Sequence, residues 1–288
     1  MKLLKRLLSP KFLIILTFIV ILLAASTSFI NLQMDEGEIE AAFLKTDYQP
    51  THHYNVLPVQ LHYVTVGDSS KTPLLLIHGS PGSWDAFVPF ITETNLLNHY
   101  YIIAIDRPGY GKSTTIEKQN LMHQAEAILP IVNQYFSNKG VVMGHSYGGA
   151  LALKLAANHP HKFSGVVSAA GSISSQLQKP KWYNYLVKYS PLQWLLKAEF
   201  VASNNEMWNL KTDLLLLEKD APMVSGKVAL IQGGKDVLVN PKSADKFEPF
   251  LTKASVKKYQ PSSMNHFIIW SDKELLINAL KWVSTDFN

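Results

Sequence analysis

The chain contains no cysteine. That excludes disulfide bridges, thiolate metal sites and a cysteine nucleophile, and leaves the compartment open. Arginine is nearly as scarce, since after Arg6 only Arg107 remains. Charged residues make up only 17% of the 288 positions, and the formal net charge is +5. Lys2, Lys5, Arg6 and Lys11 carry much of that charge at the very N-terminus, and the later lysines are scattered. A basic stripe with interleaved aromatics is lacking, so no nucleic-acid partner is expected. Internal repeats and low-complexity tracts are also absent. The histidines, adjacent His52-His53 included, show no ligand spacing, so neither a metal nor another cofactor is expected.

What is present is 47% hydrophobic residues, enough for the core of one large α/β domain or two small ones. The first apolar run, Phe12 to Ile30, carries no charge. About 19 residues at 1.5 Å each nearly span a bilayer core of roughly 30 Å. Basic residues precede the run, and Asp35, Glu36, Glu38 and Glu40 follow it. Residues 1–31 are therefore predicted to form a transmembrane signal-anchor with a cytoplasmic N-terminus and the body on the far side. The alternative is a cleaved signal peptide, with Ala24, Ala25, Ser26 and Ser28 offering small residues for a cut and the body then secreted.

Residues 32–56 read as a polar, turn-rich linker, and 57–288 as the folded domain. Strands are predicted at Leu61–Val66, Pro73–His78, Tyr100–Asp106, Val141–Gly144, Gly165–Ala170, Lys227–Gly233 and Val256–Tyr259. Helices are predicted at Ser83–Leu97, Leu121–Phe136, Ser146–Asn158, Pro241–Thr252 and Asp272–Thr285. Short buried strands alternating with amphipathic helices imply an α/β fold, a mostly parallel sheet covered on both faces. Residues 172–225 hold no convincing strand but many aromatics, among them Trp182, Tyr185, Trp194, Phe200 and Trp208. This stretch is predicted to be a helical lid, with some aromatics shaping an apolar pocket.

The sharpest motif is Gly144-His145-Ser146-Tyr147-Gly148-Gly149, set between the strand at Val141 and the helix from Ala150. A serine on so sharp a strand-to-helix turn is pushed out at the strand's carboxyl end, and small residues are needed two before and two after it. The hydroxyl is a weak nucleophile alone and needs a base, an orienting acid and oxyanion donors. Three other strand ends carry candidates. His78-Gly79-Ser80-Pro81-Gly82 could present a backbone N–H beside that of Tyr147. Asp236, after Gly233-Gly234-Lys235, could orient a histidine. His266, in the loop after the last strand, could reach back to the serine.

The order Ser146, Asp236, His266, with the His78–Gly82 turn and the Asp106-Arg107-Pro108-Gly109-Tyr110-Gly111-Lys112-Ser113 segment ahead of them, resembles the α/β-hydrolase superfamily from about Leu57 onward. The resemblance implies Ser146 as nucleophile, His266 as general base and then acid, and Asp236 as its orienter. It implies an oxyanion hole from the N–H groups of Ser80 and Tyr147, and a chiefly structural role for Asp106–Ser113. Serine at the elbow disfavours relatives with aspartate there, the haloalkane dehalogenases and epoxide hydrolases. Esterases, lipases, thioesterases, C–C hydrolases and some peptidases remain. The turn is similar to the His-Gly-Gly-Pro-Gly of prolyl aminopeptidases, but the elbow departs from their Gly-Gly-Ser-Trp-Gly. Such an enzyme would need acidic lid residues, for which Glu199, Glu206 and Asp213 are available. The leading expectation is a membrane-anchored serine esterase acting on a small-molecule ester with an apolar portion. A non-catalytic ligand sensor on the same fold is the rival.

Overall fold

In the computed structural model, residues 33–189, 193 and 196–284 are described. Among them, eight strands form one sheet in the order β1-β2-β4-β3-β5-β6-β7-β8. The strands are β1 (Thr51–Asn55), β2 (Leu61–Val66), β3 (Thr72–Ile77), β4 (Tyr100–Ile105), β5 (Gly140–His145), β6 (Phe163–Ala169), β7 (Gly226–Ile231) and β8 (Ala254–Tyr259). From β4 to β8 every neighbouring pair is parallel, and only β1–β2 and β2–β4 are antiparallel. Central strands such as β5 are buried along their whole length, as the continuous apolar runs require when both faces are covered.

The helices are α1 (Glu36–Phe43), α2 (Val88–Thr92), α3 (Leu121–Tyr135), α4 (Tyr147–Asn158), α5 (Trp182–Tyr189), α6 (Ala198–Asp220), α7 (Ser243–Phe247), α8 (Ile268–Ser271) and α9 (Lys273–Val283). One core joins α3, α4 and α6 to a face of the sheet through Ile128, Leu151, Leu153, Leu210 and Leu217. The other joins α1, α2 and α9 to the opposite face through Phe43, Phe90, Leu276 and Leu280.

Three expectations need correction. The segment 32–56 is more than a linker: it contains α1 and β1, and both belong to the folded body. Asp35 caps α1 in a reciprocal capping box with Glu38, and Phe43 is fully buried. Strand β1 escaped notice because it lacks alternation, its residues being exposed or half-buried. Side chains stitch it to the sheet. His52 Nδ1 lies 2.9 Å from His62 Nε2, and His62 Nδ1 lies 2.7 Å from Asp106 Oδ2.

The helix expected at Ser83–Leu97 is instead a 3₁₀ turn at Trp84–Phe87, then α2, then a second 3₁₀ turn at Leu96–Asn98. That expected at Pro241–Thr252 shortens to α7 followed by a 3₁₀ turn from Glu248. Pro249 donates no backbone hydrogen bond and disfavours a continued α-helix at the residue before it.

The Phe12–Ile30 segment, and with it the transmembrane expectation, lies outside the described residues. Among the described residues, no helix is long and apolar enough to cross a membrane.

Candidate active site

Strand register brings the candidate residues to one edge. Ile77 of β3 aligns with Gly144 of β5, Gly144 with Ser168 of β6, and Ser168 with Leu230 of β7. The turns that follow β3, β5 and β7 therefore emerge side by side at the carboxyl edge, where parallel sheets gather their chemistry.

Ser146 occupies the elbow with φ 56° and ψ −117°, a left-handed conformation that costs a non-glycine residue of order 1–3 kcal/mol. The surrounding structure enforces it, since Ser146 N–H donates to Ala169 O at 2.9 Å and Gly149 N–H returns to Ser146 O at 3.0 Å. The flanking glycines answer to close approach. A Cβ on Gly144 would stand 1.9 Å from Gly148 O, and one on Gly148 would stand 2.3 Å from Ile77 O. Residue 79 of the neighbouring turn comes so near that a Cβ there would sit 3.1 Å from Ser146 Cβ.

Asp236 combines two tasks. Its Oδ1 accepts the N–H groups of Leu238 and Val239 at 2.9 and 2.8 Å, closing its own turn. Its Oδ2 meets His266 Nδ1 at 2.8 Å and accepts from Gln232 Nε2 at 2.9 Å. Burial alone would raise the Asp236 pKa, but the hydrogen bonds from His266 and the two N–H groups outweigh it and hold the carboxyl below its ordinary value. The carboxylate thus fixes the ring so that Nε2 is left for a proton acceptor's role.

Ser146, Asp236, His266, Ser80 and Tyr147 all line one cleft of about 550 Å³. Ser146 Oγ and His266 share that cleft without a hydrogen bond between them. Such bonds are often long before substrate binds. A larger cavity, of about 880 Å³, opens at the outer end of the lid and touches neither Ser146 nor His266. The chemistry-bearing residues favour the smaller cleft.

Two supports were not legible in the sequence. His145 precedes Ser146 on the elbow; its Nε2 donates to His266 O at 2.9 Å, and the two rings lie 4.9 Å apart. It props the loop that carries His266. Arg107, fully buried, donates through Nε to His78 O at 3.0 Å and through Nη2 to Gly79 O at 2.7 Å. Its Nη1 pairs with Glu206 of α6. Ser80 Oγ lies 2.9 Å from both Tyr110 OH and Ser203 Oγ. The His78–Gly82 turn is thereby locked to the lid helix through buried polar contacts. His78 serves the same scaffold, with Nε2 accepting from Arg107 N–H at 3.0 Å.

Not all of the lid aromatics face the cleft. Phe200 lines it, but Trp182 is 74% exposed, and Tyr185 packs edge-on against Trp208 away from Ser146. Trp194 lies outside the described residues. The acidic lid residues are also placed elsewhere. Glu206 holds Arg107, Asp213 accepts Leu121 N–H at 3.2 Å, and Glu199 accepts from Gln33 Nε2 at 3.2 Å. No group of three metal-ligating side chains occurs among the described residues.

Residues 72–194 match the sequence profile of the α/β hydrolase fold, from β3 through the elbow into the lid. The chain has the α/β-hydrolase fold. In sequence the chain is 28% identical over 116 residues to the pimeloyl-[acyl-carrier protein] methyl ester esterase of Yersinia enterocolitica, covering 39% of this chain and 41% of the esterase. It is also 28% identical over 128 residues to bifunctional epoxide hydrolase 2 of Rattus norvegicus, covering 42% of this chain and 21% of that protein. The matched region thus spans less than half of either curated relative. Naproxen esterase from Bacillus subtilis shares the fold at a TM-score of 0.64, with 15% identity over 88% of this chain and 100% of that one.

The buried histidines give the fold a pH signature. Burial, and after it the neighbouring His266, lowers the His145 pKa from 6.5 to about 4. Burial also holds His78 well below its ordinary value. Each takes up a proton more readily in the unfolded chain, so its share of stability is complete above about pH 6.5 and is lost as pH falls toward the folded value. Asp213 works the other way, because burial raises its pKa to about 6. Its folded form holds a proton more tightly, which favours the fold increasingly as pH falls below about 6 and offsets one histidine. The expected net result is a urea midpoint that falls from pH 7 to pH 5. His145→Gln, which keeps a donor toward His266 O, should flatten that slope. An unchanged slope in the variant would remove His145 from the account.

Proposed function

We propose that this hydrolase is a serine esterase, cleaving carboxylic esters through an acyl-enzyme on Ser146. The observation that carries the reading is the hydrogen-bonded Asp236–His266 pair on the cleft that exposes Ser146. Ser146 Oγ attacks the ester carbonyl while His266 Nε2 takes its proton. Asp236 steadies the imidazolium that forms. The N–H groups of Ser80 and Tyr147 receive the oxyanion, a few kcal/mol per donor in such sites. Tyr147 opens α4, so its N–H belongs to the unsatisfied first turn of a helix and adds the favourable end of the helix dipole. His266 then protonates the departing alcohol oxygen. Water, deprotonated by His266, attacks the acyl carbonyl and releases the acid and the serine.

Serine at the elbow favours this chemistry over the epoxide opening named for one relative. An aminopeptidase reading is weakened because Glu199, Glu206 and Asp213 do not line the cleft. The apolar run Phe12–Ile30 supports a membrane tether that holds this site outside the cytoplasm.

Asp236→Asn tests the relay. It should lower kcat on a short p-nitrophenyl ester by roughly 10³–10⁴-fold through loss of the correct His266 tautomer and charge. A fall of less than tenfold would argue that Asp236 only shapes its turn.

A further inference from the structure

The cleft carries a charge that ester cleavage itself does not use. Lys179 and Lys181 both line it and are exposed. Among the described residues, neither ammonium pairs with a carboxylate, whereas nearby carboxylates are engaged. Glu206 holds Arg107, and Asp236 holds His266. Glu218 accepts Ser175 N–H and Oγ at 2.9 and 2.7 Å. The two ammonium groups are therefore left to meet an anion that enters the cleft.

A second observation lies in the same wall. Ser174 is 3% exposed and lines the cleft, yet its Oγ has no hydrogen-bond partner. A buried hydroxyl without a partner is uncommon and calls for one, commonly a ligand or water. The same cleft, which also holds Ser146, has apolar wall from Leu177, Phe200, Met207 and Val237.

Resting on the esterase reading, we propose that the substrate is an ester with an anionic group, a carboxylate or phosphate, set off from the scissile carbonyl by an apolar chain. Lys179 and Lys181 attract and hold the anion, and Ser174 Oγ donates to it. Exposed ammonium groups act through a high dielectric, so their combined effect is about tenfold rather than thousands-fold.

The test compares three p-nitrophenyl esters of equal chain length on the full chain: neutral hexanoate, the adipate monoester with its terminal carboxylate, and 6-phosphohexanoate. At low ionic strength the kcat/KM of one or both anionic esters should exceed that of the neutral one about tenfold, and the better of the two identifies the group. That ratio should fall toward one in about 0.5 M salt, where the screening length shrinks to a few ångströms. It should fall toward one in Lys179→Gln/Lys181→Gln, and two- to threefold in Ser174→Ala by loss of a single donor, roughly 0.5 kcal/mol. Equal or better turnover of the neutral ester, or a ratio that survives the double substitution, would overturn the anion site while leaving the esterase reading intact. Turnover of none of the three would defeat the esterase reading and this inference together.

Discussion

Ser146→Ala is expected to reduce turnover of a short p-nitrophenyl ester by a factor on the order of 10⁵–10⁶ in kcat, the loss that follows removal of a serine nucleophile. Labelling by a fluorophosphonate probe should disappear with it. The fold should not suffer. The residue at position 146 is only half-buried, its φ of 56° is imposed by the turn, and its backbone bonds to Ala169 and Gly149 do not involve the hydroxyl. Alanine meets the same backbone cost as serine there, so thermal unfolding should move by no more than about 2 °C, as for ordinary substitutions without a lost contact. Catalysis and stability are therefore separable at this position. Full activity in the variant would end the nucleophile assignment. Intact labelling with no turnover in the native chain would favour a ligand sensor instead.

Glu206→Ala is expected to have the largest effect on stability. The side chains of Arg107 and Glu206 are both fully buried, and removal of one partner leaves a guanidinium stranded in a low dielectric. Breaking such a pair costs about 3–5 kcal/mol. At roughly 2–4 °C per kcal/mol for a chain of this size, the melting temperature should fall by about 6–20 °C. Gln124 Oε1 and the carbonyls of His78 and Gly79 still hold Arg107, which sets a floor under the loss. Glu206→Gln keeps a neutral acceptor and should lose less. Because Arg107 grips the His78–Gly79 backbone, kcat should also fall, by up to the roughly 10²-fold that a missing oxyanion donor costs. A variant with native melting temperature would show that the pair is dispensable. One with lowered melting temperature but native kcat would uncouple the lid helix from the turn.

The catalytic candidates were legible because each sits at a strand end with a local signature. Gly-x-Ser-x-Gly, the Gly-rich turn after β3, and an acid and a histidine after β7 and β8 can be read without knowledge of distant contacts. What escaped depends on residues far apart in sequence. Arg107 and Glu206 are ninety-nine positions apart, and no periodicity links them. Nor could His145 be read as a prop for His266, since that contact arises only when the elbow and the last loop meet. Which lid aromatics face the cleft is not legible either, because α6 has no clear apolar stripe; buried Asn204, Glu206 and Asp213 alternate with exposed Leu215 and Leu216. Strand β1 shows the same limit. A polar edge strand is specified by its partner's hydrogen bonds more than by its own pattern.

Met34 N–H donates to the buried carboxylate of Asp85 at 2.6 Å, so Met34 is tied to the folded body only four positions after the apolar run Phe12–Ile30 ends in sequence. Four residues reach at most about 14 Å when fully extended, whereas an unfolded tether from Ile30 to Leu57 could have reached roughly 90 Å. A hydrolase anchored by that run would have no freedom to sweep the surrounding volume. It would be held against the headgroup layer, within reach of molecules that reside in, or diffuse along, the bilayer surface.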